Sequence, residues 1–159
     1  MSDQFKEETG LPKFILALFV IQFAFFIFYG LSKSNDKSII YFSIGFFALG
    51  IFLAFVRLRV EINEERIKYR FFPFFNKSID WNEIKDVEIV KISALSDFLG
   101  WGIRFSRKYG WSYITNSEYG LSIKKNNERR IILSIRNKDK LIKFFNKNNC
   151  RNLPALKQS

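Results

Sequence analysis

Two long apolar runs occupy most of the first third of the chain. Each is 19 residues long without a charged side chain, at positions 14–32 and 38–56. As a helix, each run measures about 28 Å, close to the thickness of the hydrocarbon core of a bilayer. Two buried core helices are the alternative, but such helices carry a polar stripe, whereas these runs are apolar on all sides. The pattern therefore predicts two transmembrane helices.

A short polar segment, SKSNDKS at positions 32–38, separates the two runs. So short a linker predicts an antiparallel hairpin that crosses the membrane twice. The residues before the first run carry three acids and two lysines, unlike the basic start of a cleaved signal peptide, so we expect the hairpin to be retained. More Lys and Arg flank the outer ends of the runs than lie in the linker, which favours a cytoplasmic location for both termini.

After Val56 the pattern changes to alternating apolar and polar positions, and turn residues punctuate it. About seven short strands are predicted between residues 59 and 135. No space remains for crossover helices, so the sheet is expected to be antiparallel, as a sandwich or a small barrel. One amphipathic helix follows, with Asn137 as its N-cap and an apolar face that includes Leu141 and Phe144.

The expected organisation thus has four parts. They are an N-terminal segment (1–13), a transmembrane hairpin (14–56), a β domain with a C-terminal helix (57–147) and a flexible tail (148–159).

Charge is distributed unevenly between these parts. Residues 1–56 are neutral overall, whereas residues 57–159 hold 22 Lys and Arg against 11 Asp and Glu. The chain has no His and a single Cys, Cys150. These counts exclude a disulfide framework, a multi-cysteine zinc site and histidine-based catalysis. We therefore predict a protein that is not an enzyme and that needs no metal and no cofactor.

The predicted β domain resembles a known family in its order of elements and in four segments. The segments are Ile79-Asp80-Trp81-Asn82-Glu83-Ile84, Gly100-Trp101-Gly102-Ile103-Arg104, Gly120-Leu121-Ser122-Ile123 and Lys138-Asp139-Lys140-Leu141-Ile142. With the preceding hairpin, the chain resembles bacterial membrane proteins with a pleckstrin-homology-like (PH-like) domain, over about residues 14–147. The resemblance implies a PH-like barrel closed by one helix, located in the bacterial inner membrane. It does not choose among lipid, peptide and protein ligands.

Basic side chains of the β domain are the first candidates for binding. Arg66, Lys68 and Arg70 alternate along one predicted strand, and Arg104, Arg107 and Lys108 cluster around one predicted loop. On a cytoplasmic face, these residues are expected to attract anionic lipid headgroups or a protein partner. The alternative is that the basic excess reflects composition and membrane topology alone.

Interleaved aromatic residues also suggest nucleic-acid binding, with stacking on Trp101, Phe105, Tyr109, Trp111 and Tyr113. However, the same alternation is typical of core strands, and the domain is tethered to a bilayer. We therefore expect no nucleic-acid partner.

Within the second apolar run, Gly50 and Ala54 form a small-xxx-small pair, which is typical of closely packed membrane helices. The alternative is that the pair has no packing role, since Gly and Ala are frequent in membrane helices.

Taken together, these features predict a membrane-anchored interaction module on the cytoplasmic face that recruits a protein or a lipid. One alternative is a sensor of anionic lipid headgroups. Another is an accessory subunit whose hairpin packs against a larger membrane complex through Gly50 and Ala54.

Overall fold

A computed structural model describes residues 4–33, 37–107, 109–148 and 156–158 of the chain. The fold divides into two compact units. One unit is helical and spans Leu11–Val56, and the other is a β unit made of Met1–Gly10 together with Arg57–Ser159. The helical unit is therefore an insertion in the sequence of the β unit.

The helical unit consists of α1 (Lys13–Lys33) and α2 (Lys37–Ala54), which pack side by side in antiparallel directions. Stacked phenylalanine rings join them, with centroids 4.6 Å apart for Phe19 and Phe46 and 4.3 Å apart for Phe23 and Phe47. The outward-facing side chains are apolar and exposed along both helices. The predicted pair of apolar helices is confirmed.

Only α1 is long and apolar enough to cross a membrane by length and composition, among the residues that the structure describes. The apolar stretch of α2, Ser38–Ala54, is shorter at 17 residues and ends before the predicted limit at Val56. Its last turn tightens because the N–H groups of Phe55 and Val56 bond to carbonyls three residues earlier. Strand β2 then begins directly at Arg57.

The first sheet of the β unit, which we call sheet A, is antiparallel and four-stranded. Its order is β1 (Phe5–Gly10), β2 (Arg57–Ile62), β3 (Arg66–Phe72) and β4 (Phe75–Asp80). Gly10, Arg57 and Phe72 lie in one row across the sheet. Because the chain leaves for α1 after Gly10 and returns at Arg57, we call this row the helix-connected end.

Strand β1 belongs to the N-terminal segment, for which no strand was predicted, and it joins this segment to the β unit. The side chain of Phe5 is only 1% exposed and contacts Phe144 of the C-terminal helix. The hydroxyl of Thr9 is hydrogen-bonded to that of Thr115 at 2.6 Å. The carboxylate of Glu7 accepts a hydrogen bond from the N–H of Asn137 at 2.9 Å. The segment is therefore an integral strand, although only one of its inward positions is strongly apolar.

The second sheet, sheet B, contains six strands in the order β10-β5-β8-β9-β7-β6. They are β5 (Ile84–Lys91), β6 (Gly102–Ser106), β7 (Gly110–Ile114), β8 (Tyr119–Lys125), β9 (Arg130–Ile135) and β10 (Leu156–Gln158). One face packs on sheet A, where the ring of Tyr113 lies 5.3 Å from Tyr69 and 5.2 Å from Phe75. The mainly β domain with a C-terminal helix is thus confirmed as two packed sheets.

Sheet B differs in two respects from the antiparallel sheet expected from the sequence. Strand β7 pairs in parallel with β9, and β10 pairs in parallel with β5. The first difference arises because residues 92–101 pass over the outer face of sheet B, where Phe98 packs in a cluster with Ile92, Ile114 and Ile132. The β6–β7 hairpin therefore joins the sheet beside β9. The expected barrel is also not closed, since β4 and β6 each end a sheet within the described residues.

Helix α3 (Lys138–Asn148) follows β9 as predicted. The side-chain oxygen of Asn137 accepts the N–H of Lys140 at 2.9 Å, which confirms Asn137 as the N-cap. Leu141, Phe144 and Phe145 are buried against the sheets. In the tail that the sequence analysis expected to be flexible, residues 156–158 form β10, and residues 149–155 and 159 lie outside the described part of the chain.

Candidate functional site

An open groove of about 930 Å³ lies between the two sheets of the β unit. One wall is β4, the last strand of sheet A, and the other is the β6–β7 hairpin at the end of sheet B. The turn between β8 and β9 completes the lining. We call this feature the edge groove. Its size falls within the range of about 300–1,000 Å³ that is usual for ligand pockets.

The floor of the edge groove is an inward-facing row of aromatic side chains that sheet A covers only in part. Phe105 and Trp111 are cross-strand partners, and Trp111 shares a strand face with Tyr113. Tyr113 is buried under sheet A, whereas Phe105 is 65% exposed and Trp111 is 53% exposed. Their rings form an edge-to-face pair with centroids 5.5 Å apart. The groove thus presents an apolar platform that no described residue covers.

Two tyrosines mark the place where the platform meets the covered core. Burial raises the pKa of Tyr69 well above its ordinary value, with a smaller contribution from Tyr113 beside it. Burial also raises the pKa of the Tyr113 hydroxyl. Both hydroxyls therefore stay protonated at physiological pH, so this part of the groove carries no negative charge.

Basic side chains line the rim of the edge groove. Four of them form no ion pair with any described residue: Lys77, Arg107, Arg129 and Arg130. Elsewhere in the β unit, many cations are neutralised, as Arg57 and Arg59 are by Glu8 at 2.9 Å and 2.6 Å. The one acid in the lining, Glu128, pairs with Lys85 and Lys124 rather than with the four rim cations. The groove is therefore a site of positive charge beside an apolar platform.

Gly110 allows the β7 backbone to approach β9 closely beside the edge groove. Its φ of +70° lies in the left-handed region, and a Cβ at this position would overlap the carbonyl oxygen of Arg130. Only glycine lets β7 approach β9 closely here, and the next residue, Trp111, then pairs with Ile131 of β9.

The edge groove lies away from the helix-connected end of sheet A. Tyr69 is three residues from Phe72 along β3, and Ile79 pairs with Ile67, five residues from Phe72. A strand rises about 3.3 Å per residue. The groove therefore begins about 10 Å from the helix-connected end, at Tyr69, and reaches about 17 Å from it, at Ile79. The β8–β9 turn is tied to the opposite end, since the N–H of Asn126 bonds to the carbonyl of Glu83 at 2.9 Å.

The structure separates the basic residues that the sequence analysis grouped. Arg107 lines the edge groove, whereas Arg104 points elsewhere and donates its Nε–H to the Trp101 carbonyl at 3.1 Å. Lys108 lies outside the described residues. Lys77, Arg129 and Arg130 were not predicted as site residues, because β4 and the β8–β9 turn lie far from each other and from Arg107 along the chain. Of the five aromatic candidates, Tyr109 and Tyr113 are buried, Trp101 is half-buried, and only Phe105 and Trp111 are strongly exposed.

The other predicted cluster, on β3, lies on the outer face of sheet A. Arg66 pairs with Glu65 at 3.3 Å and lies 3.7 Å from Asp80. Lys68 and Arg70 line a small depression of about 240 Å³, and the Arg70 guanidinium lies 5.7 Å from the ring centre of Phe72. These three residues therefore do not join the edge groove.

In the helical unit, Gly50 and Ala54 have different surroundings. Gly50 is buried, and a Cβ there would lie 2.9 Å from the Phe19 side chain of α1. Ala54 is exposed. The close approach at Gly50 thus joins the two helices of the hairpin, and Ala54 takes no part in it.

No family model matches the chain, and no curated protein is significantly similar to it. Within the described residues, no three acidic or Cys side chains are grouped as metal ligands.

Proposed function

We propose that this chain is an integral membrane protein whose two-helix hairpin holds a non-enzymatic, PH-like interaction module at the cytoplasmic face of the membrane. The edge groove of the module is its binding site for an anionic partner. The pairing of β1 with β2 is the observation that carries the membrane part of this proposal.

Paired strands lie on the same side of a membrane, because a hydrogen-bonded sheet in water cannot continue through a bilayer. The chain between Gly10 and Arg57 must therefore cross an even number of times. A single crossing by α1 would separate β1 from β2 and break six residue pairs of sheet A. If α1 spans the membrane, α2 must return. Its 18 residues measure about 27 Å, a length that modest thinning of the bilayer accommodates.

The same pairing argues against a cleaved signal sequence. Cleavage after α1 would detach the segment that holds Phe5 in the core and Glu7 at the start of α3. A signal peptide has no such role in the mature fold. We therefore favour a retained hairpin whose two outer ends lie on the same side of the membrane as the β unit.

Orientation follows from the charges near these ends. Lys6, Lys13, Arg57 and Arg59 lie close to the outer ends of the hairpin, and the basic excess of the β unit lies on the same side. Such a bias favours the cytoplasm for this side.

For the binding role, we favour a protein partner, because the groove combines rim cations, an exposed aromatic platform and, within the described residues, a strand edge without a neighbour. The accessory-subunit alternative is less favoured, because Gly50 is already used inside the hairpin.

Site-directed labelling tests the topology. Three single-cysteine chains are made on a Cys150→Ser background: Gln4→Cys, Ser34→Cys and Asn127→Cys. Labelling with a membrane-impermeant maleimide in sealed inside-out and right-side-out vesicles should place positions 4 and 127 on the cytoplasmic side and position 34 on the other. Labelling of all three from one side would overturn the two-pass proposal.

A further inference from the structure

We propose that the edge groove binds an extended acidic segment of a partner protein, which pairs with β4 as an additional strand. This inference deepens the proposed function and names the class of its partner. It concerns the groove alone, so its test is independent of the number of membrane crossings.

Both walls of the groove end in strands that lack a neighbour. β4 is paired only with β3, and β6 is paired only with β7, in the described part of the chain. An unpaired strand edge presents free N–H and C=O groups at every second residue. The β4 residues Asn76, Lys77 and Ser78 are exposed, so the edge is open to a peptide. Strand addition to such an edge is a recurrent mode of peptide recognition.

The charge of the rim selects an acidic peptide. Lys77, Arg107, Arg129 and Arg130 surround the groove without an ion-pair partner among the described residues. Carboxylates on the bound strand would meet these cations as the strand lies along β4. A second copy of the chain is a poorer occupant, because its own β4 edge carries Lys77 and its net charge is +11. Like charges would oppose edge-to-edge pairing of two copies.

The exposed aromatic pair adds an apolar requirement on the same face of the peptide. Lys77 is paired with the inward-facing Tyr69, so a strand added to β4 would present one of its two faces to both the rim cations and the platform. Phe105 and Trp111 offer a platform for an apolar side chain on that inward face. The inferred ligand therefore carries acidic residues and an apolar residue at alternate positions of one strand face.

The experiment uses the full chain in nanodiscs of neutral phosphatidylcholine. The probe is a fluorescein-labelled peptide, Asp-Thr-Glu-Thr-Phe-Thr-Glu-Thr-Asp, whose acids and phenylalanine share one strand face. Its binding is followed by fluorescence anisotropy at physiological salt. Saturable binding is expected. The double variant Arg107→Glu/Arg129→Glu should weaken it by roughly tenfold or more, because two rim cations become repulsive. The control variant Lys140→Glu/Lys143→Glu changes the net charge equally on exposed positions of α3 and should leave the affinity unchanged.

Two further peptides test strand pairing itself. In each, alternate amides are N-methylated, one peptide carrying the even set and the other the odd set. Only one set of amides points toward a neighbouring strand, so one methylated peptide should lose binding and the other should keep it.

Equal binding by both methylated peptides would overturn strand addition. Equal weakening by the groove and α3 variants would show general charge attraction and would overturn the site. Failure of the peptide to bind would overturn the peptide proposal. If inorganic phosphate or vesicles containing phosphatidylglycerol then bind directly, and the Arg107→Glu/Arg129→Glu variant abolishes that binding, the groove is a phosphate or lipid site. Unfolding of the double variant is detected by its near-ultraviolet circular dichroism, and Trp111→Ser then serves as the second groove variant.

Discussion

Glu128 lies in the β8–β9 turn and joins two strands of sheet B. Its carboxylate pairs with Lys85 of β5 and Lys124 of β8. Hydrogen bonds from Lys124 and Lys85 lower the pKa of Glu128 from 4.5 to about 2. Because the folded state depresses this pKa, the ion pairs stabilise the fold at pH above about 4.5 and lose their effect as the pH falls toward about 2.

We therefore predict a pH-dependent effect of Glu128→Gln. The melting temperature of the variant in mild detergent should be slightly lower than that of the unmodified chain at pH 6, since exposed ion pairs contribute little. The difference should become very small at about pH 2, where the native carboxylate is about half protonated. Thermal unfolding followed by tryptophan fluorescence measures both chains. A difference that stays constant over this range would contradict the electrostatic explanation.

For single residues, the sequence predicted correctly those roles that depend only on residues nearby in the chain. Asn137 was identified as an N-cap because its partner, the Lys140 N–H, lies only three residues away. The exposure of Trp111 could not be predicted, because the same alternating pattern fits buried Tyr113. Whether an aromatic residue is covered depends on where the opposite sheet ends.

At the scale of elements, the hairpin depends on a small residue at one crossing point. Gly50 lies against Phe19, and the stacked pair of Phe19 and Phe46 lies one turn away along α2. Phe26 and Phe42 also meet edge to face nearer the linker, with centroids 5.9 Å apart. Aromatic stacking and one close approach therefore hold α1 against α2.

Gly50→Ile should separate the two helices, because even a Cβ meets the Phe19 ring at 2.9 Å. The readout is disulfide formation between Phe26→Cys and Phe42→Cys on the Cys150→Ser background in nanodiscs. We expect a several-fold slower reaction for Gly50→Ile, whereas Ala54→Ile on the exposed face should be neutral. A strong effect at Ala54 would instead favour the accessory-subunit alternative, in which this face contacts another chain.

At the scale of the whole molecule, the insertion of the helices between paired strands makes the domain discontinuous in sequence. Residues 57–159 alone lack β1, and with it the core residue Phe5. Loss of a buried phenylalanine side chain typically costs about 3–5 kcal/mol, a large part of the stability of a small domain.

A domain without the membrane hairpin should fold if β1 is kept. Gly10 and Arg57 are paired neighbours, so a two-residue Asn-Gly turn can replace residues 11–56. We predict that this joined domain unfolds cooperatively in denaturant, whereas residues 57–159 alone are much less stable. Phe5→Ala in the joined domain should lower the free energy of unfolding by about 3–5 kcal/mol. Equal stability of the joined domain and the fragment would contradict a structural role for β1.

Features that depend on local pattern could be predicted from the amino-acid sequence alone. The two apolar runs, the alternation of the strands and the amphipathic final helix each follow from periodicity within one segment. The concentration of basic charge after Val56 could also be counted directly. The predicted resemblance to PH-like membrane proteins and the cytoplasmic location stay predictions.

Which segments of the chain meet depends instead on tertiary packing. It added β1 to sheet A, paired β7 in parallel with β9 and left β4 and β6 as open edges. The edge groove combines Lys77, Trp111 and Arg130, which come from three distant segments. Such a site depends on the strand order and on the end of each sheet. These are set by packing of the whole core, and no local pattern in the sequence encodes them.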